Sequence, residues 1–499
     1  MLSLRRIGLA AGPLLALAVF WILPTRYATG PDTAVDFTTA GRATLAMVAW
    51  MATWWMTEAV DIEVTALLPV TLFPLLGITT IAKAAAPYAS DVIFLFLGGF
   101  ILGLAIERWG LDRRIAFFTL RLTGTRPGAM TAGFMVATAF LSMWISNTAC
   151  AAMMVPIAIS VVSLVTKARP GGGEPGPGER NFAVGLLLAI AYSASIGGIA
   201  TLIGSPPNGI AVRFIAQTYG KEVSFVDWMA IGLPFTVVFL PIAWVLLTKV
   251  LFPARFAEIP GGREMIAAEI ARLGPLSRAE KVTLAVFAGT AFLWIFGEPL
   301  RAVTVAGVKP LAGLTDSGVA LLAALALFLA PVDAAKGVRA MDWVTASRLP
   351  WGVLVLFGGG LSLASAVEVN GVSAFIGHST RGLGVLPPLV LLAAVVTLTV
   401  FLSEVTSNTA QVATMTPVLA AMAPGLGLDP PTLVIVCALA ASSAYMMPVG
   451  TPPNAIVFGT GLVRMPQMMK AGIVLNLTGI AVIAVLGYGV VPRIVARVL

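Results

Sequence analysis

Long runs of apolar residues alternate with short polar connections along almost the whole chain. A helix needs about 20 mainly apolar residues to cross the hydrocarbon core of a bilayer, and most of these runs approach or exceed that length. The pattern therefore predicts an all-α polytopic membrane protein. The runs cover residues 8–24, 43–57, 63–79, 91–106, 182–212, 228–251, 282–297, 315–331, 349–368, 431–462 and 470–492.

Two further apolar stretches, 128–163 and 386–422, are interrupted by polar residues in the middle. If both turn back without crossing, the other runs give about 11 transmembrane helices, starting from a cytoplasmic N-terminus that carries Arg5 and Arg6. This arrangement puts roughly twenty Lys and Arg inside and about ten outside, in keeping with the positive-inside rule. A simple crossing at either stretch would place the basic segment 255–281 outside. We therefore expect two re-entrant helical hairpins.

Composition agrees with a membrane protein and excludes several other classes. The chain is 58% hydrophobic and 11% charged, whereas soluble domains have about 25% charged residues. We attribute the net charge of +8 to the positive-inside bias rather than to nucleic-acid binding. His378 is the only histidine, and Cys150 and Cys437 cannot form a disulfide framework or a metal cluster. The sequence shows no nucleophile–base pair and no phosphate-binding loop, so we do not expect an enzyme.

Three motifs occur twice in the same order. Residues 95–110 resemble 356–371, and the Ser-Asn-Thr triplet at 146–148 recurs at 407–409, 261 residues later. A Pro-Pro-Asn motif also occurs in each half, and the copies are 246 residues apart. Such a repeat is common in transporters. Because the hairpins enter from opposite sides, the two halves are expected to be inverted. The predicted segments are 1–40 (first span), 41–251 (first repeat), 252–281 (cytoplasmic amphipathic linker) and 282–499 (second repeat).

The repeated motifs predict four breaks in helices. Ser, Thr and Asn are good N-caps, so each triplet can end one hairpin arm and begin the next. Each Pro-Pro pair removes two backbone donors and disfavours helix before it, so the runs 182–212 and 431–462 should each split into two half-helices. In hydrocarbon such breaks are tolerated only beside protein or a water-filled cavity.

The breaks offer suitable partners for an anion and for a cation. Open helix N-termini present unpaired N–H groups and partial positive charge to carboxylate or phosphate. Carbonyls released at unwound segments suit a small hard cation such as sodium. The side chains at the breaks are neutral hydroxyls and amides, without Lys or Arg. We therefore expect a bound cation to supply the missing positive charge.

Glu404 is a further candidate, because it lies inside the second hairpin stretch and intramembrane carboxylates are commonly functional. Met143 occupies the equivalent position in the first repeat. The sequence leaves the role of Glu404 open.

With paired triplets in opposed hairpins and a Pro-Pro-Asn motif after each, the chain resembles the divalent anion/sodium symporter family. The resemblance extends from about residue 40 to the end. It implies an elevator-type transporter that is a homodimer, in a bacterial inner membrane, and that binds a small dianion with Na⁺ as the coupling ion and without an organic cofactor. The residues implied for substrate are Ser146, Asn147, Thr148, Ser205, Pro206, Ser407, Asn408, Thr409, Thr451 and Pro452.

The resemblance also implies two sodium sites. The first would use Ser142, Ser146, Asn147 and Gly204, and the second Ser403, Thr406, Asn408 and Gly450. The hydroxyls at 142 and 403 favour sodium-coupled symport of a dicarboxylate of the succinate, malate or fumarate class. A sodium-independent di- or tricarboxylate exchanger, or a carrier of an inorganic dianion such as sulfate, stays open on the same scaffold.

Overall fold

The computed structural model describes residues 4–30, 33–167, 176–305, 307–380 and 386–498. These residues are mainly helical, and the prediction of an all-α protein is confirmed. Two short antiparallel hairpins, β1–β2 and β3–β4, were not predicted; they lie in connections between apolar runs. The strands are Arg26–Gly30, Thr33–Asp36, Pro331–Asp333 and Val338–Arg339.

The first half of the chain contains the helices that lead to and include the first hairpin and the first Pro-Pro-Asn motif. They are α1 Leu4–Ile22, α2 Thr39–Thr57, α3 Ile62–Thr65, α4 Leu68–Leu75, α5 Ile81–Ala85, α6 Asp91–Arg108, α7 Leu111–Thr123, α8 Pro127–Ser142, α9 Asn147–Lys167, α10 Pro177–Ile199, α11 Pro206–Tyr219 and α12 Phe225–Val245. A 3₁₀ turn covers Ala86–Ala89, and a π-helical turn, Leu246–Leu251, extends α12.

The second half repeats this order after the linker helix α13. Its helices are α13 Gly262–Leu273, α14 Arg278–Ile295, α15 Gly297–Ala302, α16 Asp316–Leu329, α17 Trp343–Ala346, α18 Trp351–Val369, α19 Val372–Ser379, α20 Pro388–Ser403, α21 Asn408–Met422, α22 Pro430–Ala441, α23 Pro452–Gly459, α24 Met465–Gly489 and α25 Val491–Val498. A 3₁₀ turn covers Ala423–Leu426. Helices α18 to α24 thus correspond one by one to α6 to α12.

All four predicted breaks are present. Each triplet lies between two hairpin arms, α8 and α9 in the first half and α20 and α21 in the second. Each Pro-Pro pair starts a new helix, α11 or α23, after an unwound segment. The amphipathic helix expected within 252–281 is observed as α13. Most of the segment 167–181, which is rich in Gly and Pro, lies outside the described residues.

Seven helical stretches of the described chain are long and apolar enough to cross a membrane. The helix α10 is buried from Phe182 to Ile199, and α22 is buried from Pro431 to its end at Ala441. By contrast, α1 buries only three small residues and exposes many large apolar ones, as expected for a helix that faces lipid. The protein is therefore a multi-pass membrane protein with two buried central helices, each of which ends at an unwound segment.

The two halves interlock at the breaks. Helix α11, which follows the first unwound segment, packs against α21 and α22 of the other half. Helix α23, which follows the second, packs against α9 and α10. Each half-helix that follows an unwound segment therefore packs against helices of the opposite half.

Candidate functional site

The first hairpin tip places a serine hydroxyl directly against an asparagine amide. Ser142, at the end of α8, donates from Oγ to Asn147 Oδ1 over 2.5 Å. Ser146 caps α9 by accepting from the backbone N–H of Ala149 at 3.2 Å. Ser142 is fully buried, whereas Ser146 and Thr148 are exposed and Asn147 is half-buried. The tip therefore has a buried oxygen pair behind an accessible polar edge.

The second hairpin tip repeats this geometry and adds a backbone carbonyl. The Ser403 hydroxyl lies 2.6 Å from Asn408 Oδ1 and 2.5 Å from the carbonyl oxygen of Ala441. A hydroxyl has one proton, so Ser403 can donate to only one of these oxygens at a time. Three oxygens share one proton here, which is an arrangement that a small hard cation would stabilise.

The first unwound segment passes over the first tip. A β-carbon built on Gly198 would lie 2.5 Å from Asn147 Oδ1 and 3.0 Å from the carbonyl oxygen of Gly204. The missing side chain of Gly198 thus leaves a small space between these two oxygens. Because Ser142 Oγ also contacts Asn147 Oδ1, the predicted first-site residues Ser142, Asn147 and Gly204 come together.

Each unwound segment is braced by the asparagine of its Pro-Pro-Asn motif. Asn208 Nδ2 donates to the carbonyls of Gly198 (3.0 Å) and Thr201 (2.8 Å). In the second half, Asn454 Nδ2 donates to the equivalent carbonyls of Ala444 (3.3 Å) and Met447 (3.0 Å). Both asparagines are fully buried. They replace part of the helical hydrogen bonding that the breaks remove.

The two unwound segments meet between the halves. Ser205 Oγ lies 3.5 Å from Ser442 Oγ, and both residues are buried. Thr451 caps α23 by accepting from the N–H of Asn454 at 3.4 Å. Hydroxyls of the two halves therefore lie side by side next to the N-terminus of α11, and helix N-termini are sites that favour an anion.

Not every predicted residue presents its side chain to the site. The hydroxyl of Thr406 donates to the carbonyl of Leu402 (2.9 Å) and contacts Gln411 Oε1 (3.3 Å), away from Asn408. A β-carbon built on Gly450 would lie 3.1 Å from Glu404 Oε2 and 3.3 Å from the carbonyl oxygen of Met447. Of the predicted substrate residues, Pro206, Ser407, Asn408 and Thr409 are half-buried, Pro452 is exposed, and Ser205 and Thr451 are buried.

Four residues that shape the site were missed or left without a role by sequence reasoning: Gly198, Asn208, Asn454 and Glu404. The asparagines carry a visible signal, since each directly follows Pro-Pro at the same place in both repeats. Gly198 carries none, because its importance depends on which side chain packs against it.

Comparison with known proteins agrees with this architecture. The sequence profile of the family described as the sodium:sulfate symporter transmembrane region matches residues 13–492. The chain belongs to this family. The predicted resemblance to divalent anion/sodium symporters is confirmed, and the family is one of transporters rather than enzymes.

Among curated relatives, the sodium-dependent dicarboxylate transporter SdcS of Staphylococcus saprophyticus is 38% identical over 489 residues, covering 98% of this chain and 92% of that protein. SdcS of Staphylococcus aureus is 38% identical over 487 residues, covering 97% of this chain and 91% of that protein.

Among solved structures, the Alcanivorax borkumensis YdaH transporter matches with a TM-score of 0.60 at 17% identity, covering 97% of this chain and 98% of YdaH. Neisseria gonorrhoeae MtrF matches with a TM-score of 0.56 at 13% identity, covering 97% and 94%. These two structures support the fold alone.

Proposed function

We propose that the protein is a secondary active transporter that carries a dicarboxylate into the cell together with sodium. The observation that carries this proposal is the pair of oxygen clusters at the hairpin tips. At the second tip, Ser403, Asn408 and the Ala441 carbonyl gather three oxygens around one proton. At the first tip, Ser142 donates to Asn147 in the same way, and the Gly204 carbonyl lies across the space at Gly198.

The substrate would sit between the two cation sites. Its two carboxylates would be held by the hydroxyls, amides and helix N-termini of the triplets and of the unwound segments. These groups are Ser146, Asn147, Thr148, Ser205, Pro206, Ser407, Asn408, Thr409, Thr451 and Pro452. Two bound sodium ions would balance the two negative charges, since Lys and Arg are absent from the four motifs.

The named relatives favour a dicarboxylate and sodium over the alternatives. Both carry the words sodium-dependent dicarboxylate transporter, and the chain aligns with them almost from end to end. A sodium-independent exchanger would not need the crowded oxygens at Ser142 and Ser403. A sulfate carrier is supported only by the name of the family.

The proposal includes a membrane arrangement. The chain would cross a bacterial inner membrane eleven times from a cytoplasmic N-terminus, with re-entrant hairpins at about 128–163 and 386–422. The first repeat would span 41–251, the second 282–499, and the segment 252–281 would link them on the cytoplasmic face. A homodimer with an elevator movement is what the family resemblance implies. The observed interlocking of α9 with α23 and of α11 with α21 supports a core that moves as one body.

Uptake into liposomes tests the function. Purified protein is reconstituted, and labelled succinate uptake is measured with an inward sodium gradient or with potassium in place of sodium. We expect uptake into empty vesicles that is lost without sodium. Uptake that is indifferent to sodium but requires internal dicarboxylate would contradict symport and indicate an exchanger.

A further inference from the structure

The Glu404 carboxylate binds the backbone of the second unwound segment. Oε1 accepts from the N–H groups of Tyr445 (2.7 Å) and Met446 (2.9 Å), and Oε2 accepts from Met446 (3.0 Å) and Met447 (2.8 Å). Asn476 Nδ2 donates to Oε1 at 2.7 Å. Glu404 is 3% exposed. Every one of these partners is an N–H donor, which suits a carboxylate anion held in a nest of successive amides.

The first half uses a different connection at the equivalent positions. There Met143 corresponds to Glu404 and Thr201 corresponds to Met447. The Thr201 hydroxyl donates to the carbonyl of Met143 at 2.5 Å and accepts from the N–H of Gly204 at 3.2 Å. In the first half the methionine is on the hairpin and the polar residue is on the unwound segment. In the second half these positions are reversed. One unwound segment is held by a neutral hydroxyl and the other by a carboxylate.

Helix α24 supports the carboxylate from behind. Asn476 donates to Glu404 and accepts from the N–H of Tyr445 at 3.2 Å. One helical turn earlier, a β-carbon on Gly472 would lie 2.3 Å from the α-carbon of Met446. The backbone of α24 is therefore in direct contact with the segment, and the path of residues 445–447 is fixed on both sides.

The carboxylate also lies next to the second cation site. A β-carbon on Gly450 would be 3.1 Å from Glu404 Oε2, and Ser403, one residue before Glu404, contacts Asn408 and the Ala441 carbonyl. The carboxylate is buried, and Glu404 follows Ser403 directly in the chain. Ionic interactions are stronger in such surroundings than in water.

We propose that Glu404 is the positioning residue of the second cation site: it holds the unwound segment 442–451 in shape and gives the second site a higher sodium affinity than the first. This inference rests on the function proposed above. It makes the two halves unequal, because the first half lacks the charge. As the sodium concentration rises, the second site would then be occupied before the first site.

The test compares Glu404→Gln with the wild-type protein. The glutamine keeps the size of the side chain but removes its charge. It also replaces one carboxylate oxygen, which accepts hydrogen bonds from N–H groups, with an NH₂ group, which donates them. We expect the sodium concentration for half-maximal thermal stabilisation, and for half-maximal succinate uptake, to rise at least tenfold. At saturating sodium, half-saturation by succinate should stay within about twofold, because the amide oxygen of the glutamine still accepts from the segment's N–H groups and keeps its path. Loss of that path would raise the half-saturation values for both sodium and succinate.

Three further variants test the same inference. The double variant Glu404→Gln/Asn476→Asp returns a carboxylate to the cluster with a matching amide donor, and should recover most of the lost sodium affinity. Glu368→Gln, at an exposed carboxylate that accepts from Ser373, is the matched control and should change nothing. If Glu404→Gln does not fold, Asn476→Ala replaces it and should shift the sodium dependence in the same direction by at least threefold.

Sodium dependence within twofold of the wild type in the folded Glu404→Gln variant overturns the inference, and so does an equal rise for sodium and succinate. Failure of the proposed function is distinguishable from this. In that case the wild-type protein itself would show no stabilisation or uptake specific for sodium over potassium, and the inference would fall with it.

Discussion

At the scale of single residues, the proposed cation sites depend on clustered oxygens with few hydrogen-bond donors. Ser403 Oγ lies within 2.6 Å of Asn408 Oδ1 and 2.5 Å of the Ala441 carbonyl. In the first half, Gly198 leaves open the space between Asn147 Oδ1 and the Gly204 carbonyl. A cation that contacts these oxygens would provide the positively charged partner that the few hydrogen-bond donors do not provide.

Gly198→Ala is expected to block the first site. Its methyl group would lie 2.5 Å from Asn147 Oδ1, so the amide must move out of its contact with Ser142. The sodium concentration for half-maximal uptake should rise at least tenfold. Gly185→Ala, in the same helix with its nearest contact at 3.4 Å, is the matched control. Equal sodium dependence in the two variants would contradict the assignment.

Ser403→Ala should weaken the second site. It removes one of the three oxygens and leaves Asn408 Oδ1 and the Ala441 carbonyl without their hydroxyl donor. We expect at least a tenfold rise in the half-maximal sodium concentration, measured by uptake of labelled succinate. Thr397→Ala removes a hydroxyl from the same helix that bonds only to Ala393, and it should behave as the wild type. A Ser403→Ala protein with unchanged sodium dependence would remove this residue from the site.

At the scale of secondary-structure elements, helices that end inside the protein need replacements for lost hydrogen bonds. Unpaired backbone groups in a membrane interior cost several kcal/mol each. Asn208 and Asn454 each supply two N–H donors to the segment before their own helix. They fix the same two carbonyls in each half and so set the path of the segments that line the site.

Asn208→Ala and Asn454→Ala should impair sodium and succinate binding together. Each removes two hydrogen bonds to an unwound segment, at about 1–3 kcal/mol for each buried group left unpaired, and the segment carries both the cation carbonyls and the start of a half-helix. Half-saturation by sodium and by succinate should both rise, as measured by uptake. Asn181→Ala is the control, because it loses a comparable bond to the Pro253 carbonyl outside the site. It should leave both half-saturation values unchanged. A defect in Asn181→Ala as large as that of Asn208→Ala would contradict the assignment.

The sequence predicts the breaks but not what holds them. Pro-Pro pairs and Ser-Asn-Thr triplets act through local backbone chemistry, so their effect can be read from neighbouring residues, and all four breaks are confirmed. The partners of Glu404 are 41 to 72 residues away in sequence, and the space at Gly198 depends on the approach of Asn147. Such contacts depend on the tertiary path of the chain, which no local pattern encodes.

At the scale of the whole molecule, a buried ion pair joins the first half to the linker and to the start of α14. Arg114 of α7 donates to Glu280 of α14 at 2.6 Å, and to the carbonyls of Gly274 (3.0 Å) and Leu273 (3.1 Å) at the end of α13. Burial by itself raises the pKa of Glu280, but the hydrogen bonds from Arg114 and Ser277 outweigh it and hold the pKa below its usual range. One guanidinium therefore connects α7 of the first repeat with the end of α13 and the start of α14.

Glu280→Gln should destabilise the protein by about 3 kcal/mol, because it leaves the buried Arg114 charge unpaired. Since the pKa of Glu280 is lower when folded, the stabilisation is complete above the ordinary carboxyl value of about 4.3 and is lost as pH falls through the lower folded value. Thermal unfolding between pH 7 and pH 3 checks this, and the variant should show a weaker pH dependence. Arg113→Gln, which breaks the more exposed contact with Glu269 at 3.7 Å, should have little effect. Equal stability of the two variants at pH 7 would contradict the role of the buried pair.

The central claim is that each half of the protein holds a sodium ion beside a shared dicarboxylate. Simultaneous uptake of radioactive sodium and labelled succinate into the same proteoliposomes measures it directly. We expect sodium to enter with succinate in a ratio of at least two to one, with one ion for each hairpin tip, and neither to enter without the other. Succinate uptake accompanied by no sodium would contradict it, and a ratio of one would show that one of the two oxygen clusters does not carry an ion.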